Sequence, residues 1–165
     1  MPNWVFNTVT ISGEKDKLIE VKAKLNEPYV RPIHSIVDGK IEDVMVGYMN
    51  PVFAFWNVIR PTNIEEYREK DNWYMWNISH WGTKWDVGVS DDDKHSETRL
   101  ESETDNELVY KFDTAWSPPL PVVLALSVQH PDTTVLIEYE EEQGWGGIME
   151  IKNGKTIRDN MYNKY

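Results

Sequence analysis

The densest run of chemistry-bearing side chains is Asn72-Trp-Tyr-Met-Trp-Asn-Ile-Ser-His-Trp-Gly-Thr-Lys-Trp-Asp86. It sets Trp73, Tyr74, Trp76, Trp81 and Trp85 beside Asn77, His80, Thr83, Lys84 and Asp86. Indole and phenol rings line pockets and stack on flat ligands. A lysine among them meets an anion or a protein group, or is held as a cation–π contact. In this functional reading Asp86 is the partner of Lys84. The competing reading is structural: a helix ending in a tight turn, its indoles in the core and its polar groups satisfying the turn. Trp116 and Trp145 complete the set of candidate partner- or ligand-binding residues.

His80 with Asp86 suggests general acid–base work, but no nucleophile–base set accompanies them. His34, His95 and His130 are scattered, without the His-x-x-x-His or His-x-Glu spacing of a zinc site. The chain has no cysteine, which removes disulfides, thiolate catalysis and cysteine–zinc sites and suits a reducing compartment. Glu138, Glu140, Glu141 and Glu142, taken with Asp113, read as a solvated sheet end rather than a hard-cation site. Gly144-Trp-Gly-Gly147 reads as a turn, and neither a phosphate-cradling glycine loop nor Gly-x-Ser-x-Gly occurs. The expectation is therefore a non-enzymatic protein, with no catalytic residue, metal or cofactor.

The elements that would position these residues follow from periodicity. Residues 5–11 alternate as a strand, with Val5, Asn7, Val9 and Ile11 on one face. Lys15 to Leu25 carries a helical stripe that Pro28 stops. Residues 28–50 are mixed, punctuated by Pro32, Gly47 and a turn at Asp38-Gly39. Val52 to Ile59 reads as a buried extended segment, and Asn63 as the cap of a short helix. Trp73 to His80 reads as a helix lined on one side by Trp73, Trp76, Asn77, His80 and Trp81, with Gly82 ending it. Trp85 to Ser90 looks like a short strand. Residues 91–106 form an acidic connection, either a mobile hairpin or an irregular strand pair.

Glu107 to Thr114 is again a strand, with Leu108, Tyr110 and Phe112 on one face. Prolines 118, 119 and 121 open a helix striped by Val122, Val123 and Leu126. Thr133 to Glu140 is the clearest strand. Ile148 to Lys152 returns from the glycine turn, and Asn153-Gly154 is a hairpin signal into Lys155 to Arg158. Asp159 to Tyr165 reads as a fraying tail. The order predicts a single α+β domain over 1–165 on the βαββαβ, ferredoxin-like plan. Its antiparallel sheet has helices on one face. An insertion with a Trp-rich helix spans about 28–84, and a β-hairpin is added at the C-terminus.

Four segments together resemble the Api92-like, or YubB-type, ferredoxin-like family of phages, plasmids and genomic islands. They are Met1-Pro-Asn-Trp4 with Asn7 and Ile11-Ser-Gly13; Trp73-Tyr-x-Trp-x-x-x-x-Trp-Gly-Thr-Lys-Trp-Asp86; Trp116-Ser-Pro-Pro-x-Pro121 with Leu126-Ser127; and Tyr139-Glu-Glu before the glycine-rich turn. Many relatives carry cysteine where this chain has Val5, and asparagine where it has His80, which speaks against a catalytic role at either. The resemblance implies a ferredoxin-like fold and a mobile-element origin, and no activity.

The formal net charge is −11 with a pI near 4.8. A field of that sign repels phosphate backbones and disfavours general duplex DNA or RNA binding. No apolar run reaches membrane-span length and the N-terminus lacks a signal-peptide pattern, so the expected place is the cytoplasm. The leading functional expectation is an accessory protein that binds a host or phage protein, with an anti-defence or host-takeover role. The alternative is a binder of a nucleotide-like small molecule through residues 73–86, with Lys84 on the phosphate. Further alternatives are DNA mimicry by the acidic surface, or single-stranded nucleic acid stacked on Tyr110, Phe112 and Tyr139 across an open sheet.

Overall fold

The computed structural model describes residues 1–69, 71–88 and 95–165. Alternation of apolar and polar residues puts every second side chain of Trp4–Ser12 (β1) under the helices: Val5, Asn7, Val9 and Ile11 are buried. The stripe predicted for the first helix forms as Lys15–Leu25 (α1), with Leu18, Val21 and Leu25 inward. The next strands are Tyr29–Val37 (β2) and Lys40–Tyr48 (β3). Two helices follow, Ile64–Arg68 (α2) and Asn72–Trp81 (α3). The chain continues through Thr98–Glu103 (β4), Glu107–Ala115 (β5), Leu120–Gln129 (α4), Thr134–Glu141 (β6), Trp145–Lys152 (β7) and Lys155–Asn163 (β8).

Six strands form one antiparallel sheet in the order β4-β5-β1-β6-β7-β8. The first four places are two interleaved split βαβ units: β1-α1-β4 with β5 between its strands, and β5-α4-β6 with β1 between. β7 and β8 extend the sheet beyond β6. Phe112, Asn7 and Tyr139 stand in one row of the buried face, and Tyr110, Val9 and Ile137 in the next.

The insertion differs most from expectation. Residues 28–50 form a hairpin arm, β2 on β3, as a two-stranded sheet of its own, turning at Asp38-Gly39 where both residues have positive φ. The segment from Val52 to Ile59 is buried only over Phe53 to Val58, and it is not extended. It curls into a 3₁₀ turn at Phe55–Asn57 because Asp86 captures the N–H groups of Phe55 and Trp56. The same carboxylate takes the N–H of Val87, and Gly88 has φ +69°, so residues 85–88 bend where a strand was expected. Residues 89–94, which complete that strand and hold Asp91-Asp92-Asp93, lie outside the described residues. Beyond them the acidic connection becomes β4, an irregular edge whose pairing with β5 shifts between Leu100 and Ser102.

Two corrections concern the C-terminal hairpins. The turn is Glu142 to Gly144, and Trp145-Gly-Gly147 already belongs to β7. A Cβ on Gly146 would run into the carbonyl oxygen of Tyr139, and one on Gly147 would meet the Tyr139 hydroxyl 2.5 Å away. These glycines serve close strand approach, not chain reversal. The tail does not fray at Asp159: β8 pairs with β7 out to Asn163 opposite Trp145, because ladder bonds use backbone groups whatever the side chains.

Candidate functional site

The inserted segment is organised around one buried carboxylate. Asp86 Oδ1 accepts the N–H groups of Phe55 and Val87, both at 2.7 Å, and Oδ2 accepts that of Trp56 at 3.1 Å. Arg31 reaches in from β2, its Nη1 3.6 Å from Oδ2. Tyr48 and Trp56 flank the guanidinium, their ring centres 5.8 and 5.9 Å from Arg31 Cζ. Burial pushes the Asp86 carboxyl up, while Arg31 and the three N–H donors pull it back.

Around this pair the polar groups are tied to the turn. Tyr67 donates to Asn77 Oδ1 at 2.9 Å, and burial, ahead of the other influences, raises its phenol to about 12. Asn77 Nδ2 donates to the Lys84 carbonyl at 2.9 Å, and Trp81 Nε1 to the Ile59 carbonyl at 2.9 Å. A cleft of about 120 Å³ opens between β2, α2 and α3. Arg31, Ile33 and His34 line it from the arm, Tyr67 and Arg68 from α2, Trp73 and Asn77 from α3, and Trp85 and Asp86 from beyond. Arg68 Nε holds Asp43 in an ion pair, and its Nη1 lies 3.5 Å from Glu65.

The residues expected to form one site divide among separate neighbourhoods. Trp73, Asn77, Trp85 and Asp86 line the cleft. Tyr74 packs edge-on to Trp73. Trp76 lies between Tyr67 and Trp81, and His80 stacks on it from outside at 4.2 Å. Trp81 and Thr83 are buried in the packing. Lys84 turns away to the surface, its Nζ 4.4 Å from the Trp85 ring and 5.1 Å from the Trp116 ring. Trp4 joins that surface group, 6.2 Å from Trp85 and stacked at 4.1 Å on His95, whose Nδ1 is 2.9 Å from Asp113 Oδ2. Trp145 packs against Tyr139 at 6.3 Å, on the C-terminal extension.

Several pairings therefore change. The partner of Asp86 is Arg31, not Lys84. His80 is exposed with Nδ1 on the Trp76 carbonyl, while Asp86 is sealed, so the two form no acid–base pair. Tyr110, Phe112 and Tyr139 are 1, 3 and 3% exposed under the helices and offer no stacking platform on the open face. That face instead presents Phe6 between Asp113 and Glu140, and Thr8 between Lys111 and Glu138. Among the described residues no three histidine or carboxylate side chains gather as a metal site. Glu140 holds Lys164 and Tyr162, Glu141 is buried and takes the Gln143 N–H, and Glu142 takes the Trp4 N–H. Arg31 was the residue sequence reasoning missed. Tyr29-x-Arg31-x-Ile33 and Val44-x-Val46-x-Tyr48 flanking Asp38-Gly39 is the hairpin pattern that places it.

The sheet order and crossovers define an α+β protein of the ferredoxin-like class, with an arm and two helices inserted before its second strand. Residues 84–164 match the family described as the ferredoxin-like domain in Api92-like protein. The crystal structure of a protein api92 from Yersinia pseudotuberculosis is similar along the whole length. The TM-score is 0.68 at 10% identity, covering 100% of this chain and 99% of that one, so what is shared is the fold. No curated protein matches the chain. Among the described residues no helix is long and apolar enough to cross a membrane.

Proposed function

We propose that this is a non-enzymatic accessory protein of a phage or mobile element. It acts in the host cytoplasm by binding another protein, and the β2–β3 arm is its means of grip. The observation that carries this reading is the arm's tip. Ile36 and Ile41 stand opposite one another and are 76 and 78% exposed, beside the exposed Val37. The arm's base is fixed by Arg31 at Asp86, Tyr29 against Trp56 and Arg68 on Asp43, whereas the tip carries its apolar groups into solvent. A lone two-stranded sheet is marginal in water, and an exposed apolar cluster is a contact surface in search of a complement. The partner has an apolar receiving surface, because Ile36, Val37 and Ile41 offer it branched aliphatic groups, with Asp38, Lys40 and Glu42 at the rim.

A photo-crosslinking residue placed at Ile36 or Ile41 in expressing host cells should capture one protein in stoichiometric amount. The double variant I36D/I41D should lose that partner while melting within about 2 °C of the parent, since exposed substitutions shift stability by about 0.5 kcal/mol or less. Crosslinking that yields no discrete partner, or a partner held equally by I36D/I41D, would overturn the reading.

A further inference from the structure

We infer that the cleft headed by Arg31 is a small-molecule site for a singly charged oxyanion, a carboxylate or a phosphodiester, carried on a flat ring. This is independent of the arm's partner. Arg31 is 7% exposed, yet among the described residues no hydrogen bond leaves its guanidinium. Its Nε is buried with no partner, and its nearest carboxylate oxygen lies 3.6 Å away. Asp86 cannot readily close that gap, because both its oxygens are already held by backbone N–H groups of a buried turn. A guanidinium has five donors in a planar fork, and one whose buried Nε is unpartnered can still take an oxyanion side-on through Nε and an Nη.

The rest of the cleft selects the body of the ligand. Tyr48 and Trp56 cover the guanidinium, and Arg31 lines the cleft together with Trp73 and Trp85. Aromatic walls favour a flat ring, and a cleft of about 120 Å³ favours a small one. The charge balance selects the anion. Arg31 is opposed by Asp86, and the cleft's second cation, Arg68, is opposed by Asp43 and Glu65. The site therefore offers donors without a large positive field, which suits one negative charge better than two.

The test follows tryptophan emission of the intact protein during titration with sodium benzoate, 3′,5′-cyclic AMP and, as a ringless control, inorganic phosphate. Saturable quenching is expected with benzoate or cyclic AMP. Response to benzoate alone identifies a carboxylate ligand and to cyclic AMP alone a phosphodiester; either supports the site. Arg31→Lys keeps the charge and loses the fork, and should weaken binding about tenfold or more. Lys84→Met, on the surface group, should leave it unchanged. Because Arg31 variants perturb a buried pair, the same titration is repeated on the unaltered protein by NMR, where the Arg31 Nε–H signal should move with the probe. No saturable response up to about 10 mM of either ringed probe, an unmoved Arg31 signal, or equal affinity in Arg31→Lys would each overturn the inference.

Discussion

Asp86 shows what a single buried carboxylate does when its hydrogen bonds go to the backbone. It fixes the bend at Phe55–Trp56 and the bend at Val87, and gives Arg31 a counter-charge. Asp86→Asn removes the charge and one acceptor while leaving the guanidinium buried, so the loss is that of a broken buried pair, about 3 kcal/mol. Urea unfolding should show this as a lower midpoint with an unchanged slope. His130 makes a different statement. Its Nε2 is buried without a partner, and burial, more than the nearby Lys24, holds its imidazole below the ordinary range. Below about pH 6.5 the unfolded chain takes up the proton and the folded chain resists it, so stability falls as pH drops through that window. Urea midpoints at pH 7.5 and 5.5 measure the slope, and His130→Gln should flatten it.

At the scale of elements, legibility followed pattern strength. β1, β5 and β6 carry clean alternation, and their inward residues, such as Val9, Tyr110 and Ile137, sit where that alternation puts them. α1 and the Gly82 stop of α3 were equally readable, Gly82 taking φ +76°. The arm was not, because its polarity is inverted: Arg31 is inside, while Val30, Ile36 and Ile41 are outside. A charge that is buried by a partner 55 positions away gives no local signal. The candidate site suffered for the same reason, its aromatic half being visible in residues 73–86 and its cationic half hidden in the arm. Gly146 and Gly147 misled because glycine serves close approach as well as reversal. Gly146→Ala drives a methyl group into the Tyr139 carbonyl oxygen of the paired strand and should destabilise by about 2 kcal/mol. A thermal melt drop of several degrees would register it, and an unchanged melt would show that β7 can move aside.

Over the whole molecule, the chain keeps its ferredoxin-like sheet and its candidate chemistry in different stretches of sequence. The cleft and the arm come from residues 29–88, and none of the described residues among them pairs into the six-stranded sheet. The two stretches meet in the core, where Phe53 packs on Tyr110 and Phe112, and Phe55 on Phe112. The proposed arm contact and cleft ligand thus fall to a unit that can vary without altering strand register. The central strand carries a further implication for how the chain reaches this state. Thr8 of β1 finds its neighbours at Lys111 and Glu138, both more than a hundred residues onward. β2–β3 and β7–β8 close locally across two-residue turns. Long loops must be closed before such distant pairings return any free energy, which slows folding. Pulse-labelled hydrogen exchange during refolding should therefore find the amides of the β7–β8 hairpin protected before those of β1.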